Sequence, residues 1–182
     1  IIYFFLLAVL SPLLLRLSNR TITKADEQLE GLSKELQEKT GIKVRRMQIL
    51  DEPTGRISNA FAAGLLPRYR RIYVTKNLLE KSSTEELKAV LAHEFGHFKH
   101  HDVAKRLGLA ILLIWPLQKG LEYTQTLLPI PEENFGASLL LWLLVGVPII
   151  TLVVGWRARK AEYAADRYAA ELVGDPELVV QA

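Results

Sequence analysis

The sequence predicts an α+β fold, mostly helical and integral to a membrane, with a small antiparallel sheet beside a helix that carries two histidines. Three observations lead there. Apolar residues, 49% of the 182, are gathered into a few long blocks rather than spread along the chain. Three short β-like stretches follow one another between residues 42 and 75. Soon after them, a capped helical pattern runs through His93 and His97.

The first block, Ile1 to Leu15, is apolar from its first residue and lacks an initiating methionine. Pro12 interrupts it and Arg16 and Arg20 follow, which suits an anchor better than a cleaved leader with a basic start and a small-residue cleavage site. Residues 1–20 are therefore expected to be a truncated N-terminal membrane anchor, and the helical pattern from Glu177 to Ala182 is expected to continue past the last residue.

Residues 21–106 are expected to form the first part of a domain that a later hydrophobic block splits in two. Thr23 to Lys39 places Ala25, Leu29, Leu32 and Leu36 on one helical face, with Gly41 as a terminator, and predicts an amphipathic helix. Ile42 to Leu50, Ile57 to Ala63 and Arg71 to Thr75 predict strands, separated by Asp51-Glu52-Pro53-Thr54-Gly55 and by Gly64 to Tyr69. Ser83 stands three residues before Glu86, a capping-box spacing, so the helix with Leu87, Val90, Leu91 and Phe95 on its face begins near Thr84.

Residues 107–156 read as a hydrophobic hairpin of one or two spans. Leu107 to Gln118 is short for a crossing and holds Pro116, whereas Ala137 to Trp156 has the roughly twenty apolar residues that a bilayer needs. Residues 157–182 are expected to be the second, truncated part of the split domain. Arg16, Arg20, Lys105, Arg106, Arg157, Arg159 and Lys160 fall on one side if both later segments cross, while the connecting loop holds Glu122, Glu132 and Glu133 against Lys119. This asymmetry predicts a cell-membrane protein with the histidine helix on the cytoplasmic side.

The net charge of +3 is modest, and the basic residues flank apolar blocks instead of alternating with aromatics. The expected partner is the lipid bilayer, not nucleic acid. The absence of cysteine excludes disulfides and thiolate metal ligands, leaving histidine and carboxylate.

The chemistry is concentrated in His93-Glu94-Phe95-Gly96-His97. Residues four apart on a helix lie above one another, so both imidazoles can meet one zinc ion while Glu94 stands beside them as a general base. A surface helix with a histidine pair is the bland alternative. It fits poorly, because the pair is embedded in an Ala-Val-Leu-Ala run where unpaired polar groups are costly to bury. A third ligand from His100 or His101 would have to turn back from a continuing helix. Glu162 and Asp166 share a face of the helix after the last apolar block: Glu162 is a candidate third ligand, and Asp166 a candidate acceptor for the free ring N–H of a ligand histidine.

HEFGH, followed after a hydrophobic hairpin by EYAAD, resembles the membrane gluzincins comprising the HtpX heat-shock proteases and the type I CAAX prenyl proteases. Asn59-Ala60-Phe61-Ala62-Ala63-Gly64 resembles that family's Asn-Ala-(Phe/Tyr)-x-x-Gly segment, and Arg71 to Thr75 with Leu78-Leu79 resembles the strand and turn leading into its metal helix. The resemblance implies one zinc per chain held by His93, His97 and Glu162, Glu94 as base, and Asp166 behind a ligand histidine. It also implies that Asn59, Ala60 and Phe61 lie on an exposed strand to which an extended substrate adds. Asp102 matches HtpX-like members, whereas the wording around the motif leans toward the CAAX type. Arg159, Tyr163, Arg167 and Tyr168 are the candidates for an oxyanion donor.

The expected activity is zinc-dependent hydrolysis of internal peptide bonds, in HtpX-like quality control or CAAX-type processing. Substrates would be peptides or proteins, including membrane proteins or prenylated peptides. The competing readings are a catalytically silent zinc-binding scaffold and a membrane protein with an accidental motif.

Overall fold

The computed structural model describes residues 21–51, 57–127 and 135–181, so the expected anchor at 1–20 lies outside the described residues. Strand β1 (Thr21–Lys24) precedes helix α1 (Glu27–Thr40); strands β2 (Arg46–Asp51), β3 (Ala60–Ala63) and β4 (Arg71–Thr75) follow. The helices after them are α2 (Lys76–Lys81), α3 (Thr84–Lys99), α4 (Asp102–Leu127), α5 (Phe135–Val173) and α6 (Pro176–Gln181).

Thr21 to Lys24 is strand, not the start of the amphipathic helix. The β-branched Thr-Ile-Thr run loses rotamer freedom in a helix, and here it pairs with β2, Thr21 opposite Asp51. The helix begins after Asp26, whose side chain accepts from the Leu29 N–H at 2.9 Å. It ends as expected at Gly41, which takes the left-handed conformation at φ 68°. Leu29, Leu32 and Leu36 are buried on its inner face.

The sheet is mixed, which corrects the antiparallel expectation. Its order is β1-β2-β4-β3, with β2 parallel to β4 and the two outer pairs antiparallel. The chain leaves β2, forms β3 at the far edge, and returns to lay β4 between them. Alternation within a strand says which side chains face inward, but not which strand lies beside it. Arg71 to Thr75 fills the predicted limits, and as an inner strand it is buried on both faces from Ile72 onward.

The core lies between the sheet, α1 and α3, where Leu29, Leu36, Ile72, Val74, Leu87, Leu91 and Phe95 have 0% exposure. The capping box that starts α3 is present in full: the Ser83 N–H donates to Glu86 Oε2 at 2.7 Å and the Glu86 N–H to Ser83 Oγ at 3.2 Å. Its position is pinned to α1 by Lys88 Nζ on Glu35 Oε1 at 2.7 Å.

Helix α5 packs against α3 through Ala165 and Ala169, both fully buried. The boundary expected between 156 and 157 falls inside this single helix, so the apolar block and the acidic segment are rigidly joined. Many side chains of the block 137–156 lie outside the described set, and among the described residues no helix is long and apolar enough to cross a membrane.

Candidate metal centre

The centre sits where α3 meets α5. His93 and His97 share a face of α3, their rings edge to face with centroids 4.8 Å apart. Across from them, Glu162 of α5 brings Oε2 to 3.3 Å from His93 Nε2 and 3.6 Å from His97 Nε2. Glycine at position 96 permits this approach, because an added Cβ would stand 2.9 Å from Ala165 Cα.

Each imidazole is held from behind by a carboxylate. His93 Nδ1 donates to Asp166 Oδ1 at 2.8 Å, and His97 Nδ1 to Asp102 Oδ2 at 2.9 Å. An ionised carboxylate can only accept, so the ring proton stays on Nδ1 and both Nε2 lone pairs face Glu162.

Asp166 thus meets the histidine as anticipated, while Asp102 does so unannounced. In the sequence the helical pattern runs on past His97. Instead α3 stops, His101 adopts φ 55°, and the turn swings the first residue of α4 back toward the motif. No glycine or proline marks this break in the sequence. In the sequence, only the likeness of Asp102 to HtpX-like members points to that position. Neither His100 nor His101 joins the cluster; His100 rests against the ring of Tyr168, with centroids 6.1 Å apart.

In the sequence Arg106 is one of the cations flanking an apolar block. Its Nη2 donates to Glu162 Oε1 at 2.9 Å, which leaves Oε2 as the oxygen turned to the histidines.

Glu94 is buried at 6% exposure, and its Oε2 has no hydrogen-bond partner among the described residues. Burial is the largest influence on this carboxyl and raises its pKa; the neighbouring His97 and His93 and a hydrogen bond from the Ala62 backbone work in the opposite direction. His93, Glu94 and His97 form a group able to hold a metal ion, with ligand atoms within 4.8 Å of one another. Glu162 Oε2, at 3.3 and 3.6 Å from the two Nε2 atoms, also lies within that span of both imidazoles.

Strand β3 borders the cluster. The Thr75 N–H donates to the Asn59 carbonyl at 2.9 Å. Since antiparallel pairs alternate, the Ala60 and Ala62 backbone groups point away from β4 toward the open edge. Asn59 is exposed, Ala60 is buried, and Phe61 stacks on Tyr73 at 4.9 Å. Of the oxyanion candidates, Arg159, Tyr163 and Arg167 are exposed, and among the described residues none forms a hydrogen bond or ion pair with His93, His97 or Glu162. Tyr168 is half-buried beside His100, and burial raises its pKa.

A family model described as Peptidase family M48 matches residues 6–182, nearly the whole chain. The chain belongs to peptidase family M48. Among curated relatives of this M48 chain, a "Protease HtpX homolog" of Dictyoglomus turgidum is 33% identical over 143 residues, covering 75% of the chain and 46% of the relative. Another from Helicobacter acinonychis is 30% identical over 170 residues, covering 90% and 54%. The M48 chain spans about half the length of these relatives. In fold it is similar to the crystal structure of S. mikatae Ste24p, with a TM-score of 0.72 at 20% identity, covering 94% of this chain and 46% of that one. The resemblance drawn from HEFGH and EYAAD is thereby borne out.

Proposed function

We propose that this M48 chain forms the catalytic part of a membrane-embedded zinc endopeptidase, with His93, His97 and Glu162 as ligands and Glu94 as general base. The observation that carries the proposal is the spacing of three donor atoms. Around a tetrahedral zinc with bonds of about 2.0–2.2 Å, neighbouring ligand atoms stand roughly 3.4 Å apart. Glu162 Oε2 lies 3.3 and 3.6 Å from the two Nε2 atoms. The unpartnered, buried Glu94 Oε2 beside them is the kind of orphaned oxygen that such chemistry would employ.

When bound, the metal supplies Lewis-acid activation of water and of the scissile carbonyl. The chain's own groups do the rest. Glu94 Oε2 takes a proton from the attacking water and returns it to the departing nitrogen, so its burial, which favours the protonated form, helps it release that proton only to a basic acceptor. Asp166 and Asp102 keep both Nδ1 atoms protonated. The open edge of β3 offers the Ala60 main chain and the Ala62 carbonyl to an extended peptide, while the Ala62 N–H serves Glu94, in line with the role expected for Asn59, Ala60 and Phe61.

The matched relatives favour an HtpX-like enzyme acting on proteins at a membrane. Exposed apolar side chains along α4 and α5 favour embedding: Leu112 at 68%, Trp115 at 66%, Leu144 at 66% and Leu152 at 69% exposure leave large surfaces without protein cover. The site would face the cytoplasm, the side carrying Lys105, Arg106 and Arg157.

Glu94→Gln in the full-length protein tests the mechanism. It is expected to keep one zinc per chain while cleavage of an unfolded protein substrate falls at least about a hundredfold. Cleavage at the unaltered rate refutes the assigned base. Absence of cleavage by the unaltered protein as well, with zinc still bound, supports the silent scaffold instead.

A further inference from the structure

On the far side of the Arg106 and Glu162 pair, α4 and α5 diverge around a cleft of about 320 Å³. Four cations line it, Lys105 and Arg106 from α4 and Arg157 and Lys160 from α5, over the apolar side chains of Leu109 and Val154. The lining contains one acid, Asp102, which is 4% exposed and engaged by His97. Arg106 is paired with Glu162, and Lys160 Nζ lies 4.1 Å over the Trp156 ring. Among the described residues, Lys105 and Arg157 have no acidic partner. Two unneutralised charges therefore meet across one cleft.

We propose that this cleft binds the headgroup of one anionic phospholipid. The proposal rests on the reading that the chain is membrane-embedded. Its volume lies at the small end of ligand pockets, about 300–1,000 Å³, and suits a headgroup whose acyl chains lie outside. Those chains have a surface to follow, since beyond the cleft Leu112 and Trp115 of α4 are exposed, as are Leu152 and Ile149 of α5. Trp156, 51% exposed beside the cations, occupies the level at which indoles sit between headgroups and hydrocarbon. Basic pockets between helices at that level recognise phosphate by charge, each cation adding a similar increment. Arg106 links the cleft to the candidate ligand Glu162, so an occupant would lie one side chain away from the metal centre.

The test uses the full-length protein in nanodiscs of phosphatidylcholine containing one fifth phosphatidylglycerol, with bound lipid counted by native mass spectrometry after release into detergent. About one phosphatidylglycerol should remain per chain. The pair Lys105→Gln with Arg157→Gln should weaken its retention roughly thirtyfold, whereas the charge-keeping pair Lys105→Arg with Arg157→Lys should retain it and so guard against misfolding. Retention unchanged in the glutamine pair overturns the proposal. An equal loss from the control pair Lys43→Gln with Arg45→Gln, far from the cleft, overturns it in favour of diffuse surface charge. Displacement by millimolar inorganic phosphate alone overturns the lipid assignment in favour of a free-anion site. Embedding is judged separately, by resistance to alkaline extraction from pure phosphatidylcholine vesicles: a protein that resists extraction yet retains no phosphatidylglycerol keeps its membrane reading and loses the headgroup site, and one that is extracted loses both.

Discussion

Gly96→Ala would separate the two helices on which the centre depends. The new Cβ would lie 2.9 Å from Ala165 Cα and 3.2 Å from both its Cβ and its carbonyl oxygen. Carbon atoms in ordinary contact need about 3.5–4.0 Å, so α5 must retreat by roughly 0.6–1 Å at this level. The opposing atoms are backbone and a methyl group, so no flexible side chain can absorb the shift. Glu162 is less than one turn from Ala165 and would move with it. Metal sites hold their ligand distances within about 0.2 Å, so the displacement is several times what the site tolerates. The fold should survive: overpacking costs about 1–3 kcal/mol, offset by about 1 kcal/mol from the higher helix propensity of alanine. The expected variant is folded, melts a few degrees lower, and binds zinc at least about tenfold more weakly. Circular dichroism melting and zinc competition against a graded chelator would measure both. An unaltered melting temperature with unaltered zinc affinity would show that the close approach does not set the ligand geometry.

Further outcomes follow from the same contacts. Glu162→Ala should abolish stoichiometric zinc binding, while Asp166→Asn and Asp102→Asn should each weaken it about 10–100-fold, measured by the same competition; tight binding by the Glu162 variant would move the third ligand elsewhere. Gly64→Ala should destabilise the protein by roughly 2–4 kcal/mol in urea unfolding, because φ is 109° there and a Cβ would collide with the Tyr69 carbonyl, 2.7 Å from its carbon. Glu35 has its pKa lowered by its hydrogen bonds to Lys88 and Lys39. A depressed carboxylate stabilises the fold above its unfolded pKa and loses that contribution as the pH falls through the folded value. The melting difference between the unaltered protein and Glu35→Gln should therefore be small at pH 7, because the pair is partly exposed, and vanish below the ordinary carboxylate range. A difference that persists at about pH 2, well below that range, would dissociate it from the Glu35 charge.

Local spacing made half of this centre legible. Histidines four apart converge wherever a helix forms, and Ser83, Glu86 and the apolar period around them determined by themselves that a helix would form there. Glu162 and Asp166 could be put forward from a shared helical face and strengthened by family likeness, but nothing in a Glu-x-x-x-Asp spacing says which distant helix it meets. The mixed strand order, the return of Asp102 to His97, the grip of Arg106 on Glu162 and the contact of Gly96 with Ala165 were decided by the tertiary structure alone. The physical reason is range: turns, caps and helical faces are set by neighbours within one or two turns of chain, whereas these contacts are set by how whole elements dock to bury their apolar faces.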